Sequence, residues 1–378
     1  MLTNELDDTR REGGEDCLAV VTASMQIGAI FHRNGQCQDA QRSYEEALDI
    51  LGRGNVGDDL MGAECRHDLS IVYGDRGKYA DSVQMMRDSI TVSIRVYGGD
   101  HLRIGHCRNI LGGSLTGLGL YEEAAESFQE AMRIFLSAYG TEKHPDVAMV
   151  HLNLGQMQNM IGKEDHAMEN FVEALTIQRS TLGNDHTDIA TSLMSIAHLM
   201  VLALRTNEAM CHVQEALRIL RRAHGSQHPA VARAMAVVGD IYEEQGKLHD
   251  SLKVYKKCLK YMRRGLGDHH NDVATARYDV GNMHLKLHEF HEALDMFTNA
   301  ASIVRRVVRD VETPSAPQKL CLADICDKMA LCNEGLGNLE EALLGAREAQ
   351  RVYTDMGRWL DVERSAIVVL RILNQATV

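Results

Sequence analysis

His144-Pro145-Asp146-Val147-Ala148 opens a stretch that closes at Gly183, and its reading decides the fold. Apolar residues recur at Val150, Leu154, Met157 and Ile161. Gly162-Lys163 interrupts, and a second series follows at Ala167, Phe171, Ala174, Leu175 and Leu182. Both series step by three and four residues, the spacing that gathers side chains on one helix face. Gly162 supplies the backbone freedom for a sharp turn between two helices, and Gly183 suits a helix C-terminus. Such a hairpin cannot bury its apolar faces alone. It needs copies of itself on either side.

The copies are present. With the turn residue as origin, the series is Gly35, Gly77, Gly119, Gly162, Leu204, Gly246, His288 and Gly337, at intervals of 42, 42, 43, 42, 42, 42 and 49 residues. Five residues after each turn stands a small side chain: Ala40, Ser82, Ala124, Ala167, Ala209, Ser251, Ala293 and Ala342. Twelve after it stand Ala47, Ser89, Ala131, Ala174, Ala216, Cys258, Ala300 and Ala349. Seven before it stand Gly28, Ser70, Gly112, Gly155, Ala197, Gly239, Gly281 and Ala330, each preceded by a large apolar residue such as Leu111, Leu154 or Val238. Small residues let helices approach closely, and the large neighbour fills the space between them.

A helix-turn-helix with these small columns, Gly at the turn and an aromatic nine residues later resembles the tetratricopeptide repeat. That aromatic is Tyr44, Phe128, Phe171, Tyr255 or Phe297, with Met86, Val213 and Ala346 in the other copies. The usual unit is about 34 residues. This longer one, joined by Tyr139-Gly140…His144-Pro145-Asp146-Val147-Ala148, His224-Gly225…His228-Pro229-Ala230-Val231-Ala232, Leu182-Gly183-Asn184-Asp185-His186 and Leu266-Gly267-Asp268-His269-His270, is similar to the kinesin light chain subclass over roughly residues 20 to 355. The resemblance implies an all-α, right-handed superhelical solenoid of helix-turn-helix repeats. It implies a concave groove for extended peptides along the first helices, which puts His67, Asn109, Gln156, Asn159, His198, Asp240, Glu243, Tyr278 and Asn282 on its wall. Asn, Gln and His offer both donors and acceptors to another chain's backbone. It also implies a cargo adaptor of a microtubule motor complex. Light-chain grooves favour acidic peptides, and Asp240, Glu243 and Glu244 run against that preference.

At 378 residues the chain exceeds the size at which one compact core keeps growing, a limit that a solenoid escapes. Its four prolines, Pro145, Pro229, Pro314 and Pro317, suit an all-helical chain. A formal net charge of -13 argues against nucleic-acid partners. Nine cysteines without a CxxC pair fit buried thiols in a reducing compartment. There is no apolar run long enough for a membrane span and no signal-peptide core at the start, so a cytoplasmic location is expected, cytoskeleton-associated if the adaptor reading holds. Residues 1–16 are expected to be a disordered acidic lead-in, 17–355 eight hairpins, and 356–378 a capping helix covered through Trp359, Val362, Ile367, Leu370 and Leu373. The connector Gly52–Asp59 has lost the His-Pro form and is expected to be loose. The seven residues added around Val311–Pro317 read as a surface loop.

His101, His144, His186, His228 and His270 recur at one position. Successive copies would stand about 10 Å apart, too far to share a metal ion. A role at helix starts explains them, with Pro145 and Pro229 at the first helical position and Asp146, Asp188 and Asp272 at its positive end. His284, His288 and His291 would converge on one continuous helix, but the register sets a turn at His288, and His288-Glu289-Phe290-His291-Glu292 lacks the HExxH order. No metal or cofactor is called for. No phosphate loop, GxSxG or converging Cys/His pair is found, so catalysis is not expected. Arg179, Arg221, Arg222, Arg263, Arg264, Arg305 and Arg306 fall in the last turns of successive second helices, where cations satisfy the negative helix end. With Lys253, Lys256, Lys257 and Lys260 they form a candidate edge for an acidic partner or lipid headgroups. The reading is a non-catalytic scaffold that binds peptide segments of partner proteins. Its rival is a regulatory repeat domain controlling an enzyme or nucleotide switch on another chain.

Overall fold

A computed structural model describes residues 18–33, 36–53, 59–309 and 316–376. The acidic lead-in, most of the first connector (54–58) and most of the insertion (310–315) lie outside the described residues. The described residues form helices and no strand. In chain order these are α1 (Leu18–Arg33), α2 (Cys37–Arg53), α3 (Asp59–Asp75), α4 (Tyr79–Tyr97), α5 (Leu102–Leu118), α6 (Tyr121–Tyr139), α7 (Pro145–Met160), α8 (Glu164–Leu182) and α9 (Thr187–Leu202). They continue with α10 (Thr206–His224), α11 (Pro229–Glu244), α12 (Leu248–Leu266), α13 (Asn271–Lys286), α14 (Phe290–Arg309), α15 (Ala316–Gly335), α16 (Leu339–Asp355) and α17 (Trp359–Ala376).

The chain forms two compact units, Met1–Lys163 and Glu164–Val378. In the first, α1/α2, α3/α4 and α5/α6 pair as hairpins and α7 follows on α6. In the second, α8 packs on α9, hairpins α9/α10 to α15/α16 follow, and α17 lies on α16. Within each unit, first helices also touch first helices, as α5 does α7 and α9 does α11, whereas second helices make no comparable contact among the described residues. The first helices therefore take the inner side of each stack.

Packing inside a hairpin obeys a pairing rule. A Cβ added at Gly112 would come within 2.6 Å of the Phe128 ring, and one at Gly239 within 2.6 Å of the Tyr255 ring. Gly28 with Tyr44 and Gly281 with Phe297 repeat the arrangement. Every copy with an aromatic at that second-helix position carries glycine in the matching first-helix column of the sequence. The copies with Met86, Val213 and Ala346 carry Ser70, Ala197 and Ala330 instead. The ring lies on bare backbone, and a smaller side chain leaves room for a Cβ. Where serine replaces alanine in a buried column, its hydroxyl donates to a carbonyl: Ser82 to Ser70 O at 2.7 Å, Ser89 to Ala63 O at 2.7 Å and Ser251 to Gly239 O at 2.9 Å.

The turn residue is left-handed throughout the described copies, with φ of 75° at Gly162 and 72° at Gly246. Leu204 (φ 59°) and His288 (φ 60°) are the described non-glycine residues that adopt it, a conformation that costs a residue with a Cβ about 1–2 kcal/mol. The recurrent histidines sit at helix starts. The Nδ1 atoms of His101, His144, His186, His228 and His270 accept from the N–H groups of Arg103, Asp146, Asp188, Ala230 and Asp272 at 3.1–3.3 Å. Tyr97, Tyr139 and His224, from the end of the preceding helix, stack on three of these rings.

The last helix turns inward only part of the face expected, with Val362 packed near Tyr353. Ser365, Val368 and Ile372 of α17 are buried, while Trp359, Ile367 and Leu370 are 65%, 63% and 60% exposed. Polar contacts set this rotation. Ser365 Oγ donates to Asp327 Oδ1 and Ala346 O, both at 3.0 Å, and Arg371 pairs with Glu334 at 2.5 Å. α17 covers α16 and carries an apolar row of its own outward.

Candidate functional site

In the first unit, the inner wall presents His67 on α3, Asn109 on α5, and Gln156 and Asn159 on α7. The half-buried His67 ring lies 3.0 Å from Asp68 Oδ1. Gln156 is exposed and Asn159 half-buried. Asn109, expected on the open wall, is instead 2% exposed, and its Oδ1 accepts from Asn153 Nδ2 at 3.0 Å. Asn109 thus supports the wall, and the partly exposed amide there is that of Asn153.

In the second unit, His198 on α9 is exposed, while Asp240 and Glu243 on α11 and Tyr278 and Asn282 on α13 are half-buried. The Tyr255 hydroxyl, reaching across from α12, donates to Asp240 Oδ1 and stands 3.5 Å from Glu243 Oε2. Lys286 Nζ pairs with Glu243. Burial raises the Asp240 carboxyl above its ordinary range, against the Tyr255 bond and the nearby His198. Tyr278 is pushed up to about 12 by burial, opposed by its bond to Asn282.

Between these residues lies Asp279, which sequence reasoning missed. It stands one residue after Tyr278, in the same repeat register as Asn153 and Asp68. It is half-buried and has no hydrogen-bond or ion-pair partner among the described residues. Burial first, then the charges of Asp240 and Glu243, push it up to about 8.

The arginine edge of the second unit is largely occupied by its own chain. Arg179 pairs with Glu215 at 2.9 Å, Arg222 with Asp185 at 2.6 Å and Arg263 with Asp268 at 2.5 Å. Arg264 donates to Gln227 at 2.6 Å, and Arg305 reaches Glu348 at 3.9 Å. Arg221 and the exposed Arg306 have no such partner among the described residues. His284 is buried with its Nδ1 2.5 Å from Glu289, away from any cluster with His288 and His291. Among the described residues no three His, Cys, Asp or Glu side chains converge as a metal site. No described helix is long and apolar enough to cross a membrane.

Stacked hairpins with small-residue columns define an all-α solenoid of helical repeats. The tetratricopeptide repeat family matches overlapping spans at 19–93, 63–137, 108–180, 146–222, 189–264 and 232–306, and the chain belongs to that family. No curated protein sequence matches it. Among solved structures, the Rap conjugation gene regulator of plasmid pLS20, in complex with the Phr* peptide, is 16% identical over 77% of this chain and 75% of its own, with a TM-score of 0.62. A Rap protein complexed with competence and sporulation factor is 12% identical over 94% of this chain and 98% of its own, at 0.51. A putative kinesin light chain from Podosopora anserina, with nearly identical TPR-like repeats, is 16% identical over 53% of this chain and 94% of its own, at 0.43. At these identities the two Rap structures show a shared fold alone.

Proposed function

We propose that the chain is a non-catalytic interaction scaffold whose first helices hold extended peptide segments of partner proteins. One observation carries this reading. Gln156, Asn159, His198 and Asn282 keep part of their surface open on first helices. Amides and imidazoles there suit the backbone of an added chain, at about 1 kcal/mol net for each hydrogen bond, so micromolar affinity needs several bonds with side-chain burial. The pLS20 Rap regulator, alike in fold, is described as a complex with a peptide, which supports the same reading.

The light-chain resemblance extends the reading to a cytoplasmic cargo adaptor of a microtubule motor complex. Co-purification with a motor heavy chain is the measurement that decides that extension. The regulatory alternative, a repeat domain acting on an enzyme or switch in another chain, draws on the description of the pLS20 protein as a conjugation gene regulator. The arginine edge is read as a fastening between repeats, with Arg221 and Arg306 the cations it leaves for an acidic partner.

The test is selection of an unbiased display library of 12-residue peptides on the full chain, followed by titration of the best peptide. His198→Ala with Asn282→Ala, both in the second unit, is expected to weaken binding at least about tenfold at an unchanged melting temperature. Full binding by that folded variant would move the contact off the first helices.

A further inference from the structure

We propose that a cleft along α12 of the second unit binds a compact organic polyphosphate through Lys256, Lys260, Arg263 and Arg264. The site lies on a second helix, apart from the inner wall, and does not rest on the peptide-binding reading.

The charge of α12 is unlike that of the helices it repeats. Between Leu248 and Leu266 it carries Lys253, Lys256, Lys257, Lys260, Arg263 and Arg264 against one acid, Asp250, in a chain of formal net charge -13. The departure is sharpest eleven residues after the turn. That column reads Glu46, Asp88, Glu130, Glu173, Glu215, Lys257, Asn299 and Glu348, acidic in six copies and cationic in this one. Its use is visible in the same unit, where Arg179 of α8 reaches Glu215 of α10 at 2.9 Å and Arg305 of α14 reaches Glu348 of α16 at 3.9 Å. Arg221 holds the place of Arg179 in α10, and the acid due to it on α12 is replaced by Lys257. The Lys257 ammonium lies instead 5.7 Å from the centre of the Tyr261 ring on its own helix.

The structure gathers the neighbouring cations into a recess. A cleft of about 490 Å³ is lined by Lys256, Leu259, Lys260, Arg263, Arg264 and Asp268. Its one acid is already engaged. Asp268 accepts a hydrogen bond from Arg263 and has Arg277 of α13 at 3.5 Å, and the Arg263 bond above all holds its carboxyl below the ordinary range. Arg264 donates to Gln227, a neutral group. Lys256 and Lys260 are exposed and pair with no acid among the described residues.

Helix-end chemistry explains the arginines and leaves the lysines over. Cations satisfy the negative helix end only within its last turn. Lys256 and Lys260 stand ten and six residues before Leu266. Residues four apart on a helix are neighbours, so Lys253 repels Lys257 and Lys256 repels Lys260. An anion seated among them relieves that repulsion.

Phosphate suits this set better than a carboxylate chain. A recess of this size takes a small molecule, and four cations inside it call for dense negative charge. One phosphate group brings about -1.5 to -2 at neutral pH, where a carboxylate brings a single charge. A guanidinium offers its planar fork to two phosphate oxygens, and an ammonium acts beside it as a point charge. Leu259 gives the lining one apolar contact for the carbon skeleton.

Such phosphates reach a protein free or as a lipid headgroup, and the experiment separates the two sources. Calorimetric titration of the full chain with inositol hexakisphosphate is expected to show salt-sensitive binding. Lys256→Gln with Lys260→Gln should weaken it at least about tenfold, at a melting temperature no lower than the parent's, because two repelling cations are gone. Lys143→Gln with Lys163→Gln removes the same charge from exposed positions elsewhere and should bind like the parent. Flotation with phosphatidylcholine vesicles that contain phosphatidylinositol bisphosphate follows. Vesicle binding that the Lys256/Lys260 variant loses supports the cleft with a headgroup as its source. Binding of the free compound alone supports it with a soluble ligand. An equal loss in the Lys143/Lys163 variant, undiminished affinity in the Lys256/Lys260 variant, or no binding of either probe overturns the inference. Polyglutamate that binds as tightly as inositol hexakisphosphate, and depends on the same two lysines, overturns it in favour of an acidic protein.

Discussion

Along the outer edge of the second unit, cations meet acids of the same chain, whereas along its inner wall acids meet too few cations. Arg179, Arg222 and Arg263 each reach a carboxylate within 2.9 Å, and the acids come from the connectors or from the next second helix. Asp279 reaches nothing among the described residues, and Asp240 accepts only a neutral hydroxyl. Both faces look highly charged in the sequence. The edge has settled its charge internally and fastens repeats together, at little energy per exposed pair. The inner wall instead keeps Asp279, an acid with no such partner among the described residues. Charged residues that look alike in the sequence thus fasten repeats on one face and stand without a partner on the other.

The largest expected effect attacks the inner wall through its foundation. Gly239→Val drives a branched side chain into the Tyr255 ring, which already lies within 2.6 Å of an added Cβ. Overpacking of this kind costs about 1–3 kcal/mol. It also displaces the hydroxyl that holds Asp240, so melting temperature and peptide binding should fall together. The chain suggests its own remedy, since Ala197 stands opposite Val213 in another hairpin. Gly239→Ala with Tyr255→Val should therefore melt above Gly239→Val while still lacking the bond to Asp240. A single Gly239→Val chain that melts like the parent would mean that the ring does not lie on bare backbone.

The same residues separate what a linear pattern reveals from what only packing creates. The repeats, the helix pairs and the capping histidines are legible in the sequence because each recurs at a fixed interval. The first-helix columns are legible too, and they bring His67, Gln156 and Asp240 to notice. Asp279 is not. A lone aspartate in a helix reads as solvated, and the acids whose charges act on it, Asp240 and Glu243, stand 39 and 36 residues earlier. Asn109 misleads for a similar reason, because Asn153 of a later helix claims its oxygen. In α17 two apolar stripes compete, and Ser365 and Arg371, polar residues that a hydrophobic pattern ignores, decide which turns inward.

The second effect is on stability at the inner wall. The folded-state pKa of Asp279 lies above its ordinary 3.8, near 8, so folding takes up a proton between those values. Stability from this group is therefore greatest at low pH and declines as pH rises through that window. Asparagine cannot ionise. Asp279→Asn should melt close to the parent near pH 4 and progressively above it as pH rises toward about 8. Equal melting temperatures across the whole range would restore Asp279 to ordinary solvated polarity.

A smaller gain is expected where neither charged face takes part. Leu204 holds a left-handed turn with its side chain 72% exposed. Leu204→Gly relieves the conformation at the expense of unfolded-chain entropy, for a net gain of up to about 1 kcal/mol. Peptide binding should stay as it was, making this variant a control for stability changes that do not touch the inner wall. A lower melting temperature would show that the leucine is held by packing that outweighs its strain.

The smallest effect belongs to the outer edge and tests the other half of the comparison. Arg179 grips Glu215 with two contacts, at 2.9 and 3.1 Å, whereas Arg221 has no partner among the described residues. If the edge only fastens repeats, Arg179→Gln should lower stability by about 0.5 kcal/mol in dilute buffer, and high salt should erase the difference. Arg221→Gln should then leave the melt unchanged. If instead the edge docks an acidic partner, the order reverses. Arg221→Gln would remove salt-sensitive binding of a polyglutamate peptide or of vesicles containing anionic lipid, with no change in melting, because an unpaired guanidinium is the one free to receive them. The pairing seen for Arg179 favours the first outcome. Loss of polyglutamate binding in the Arg221 variant would make the edge a docking surface as well as a fastening between repeats.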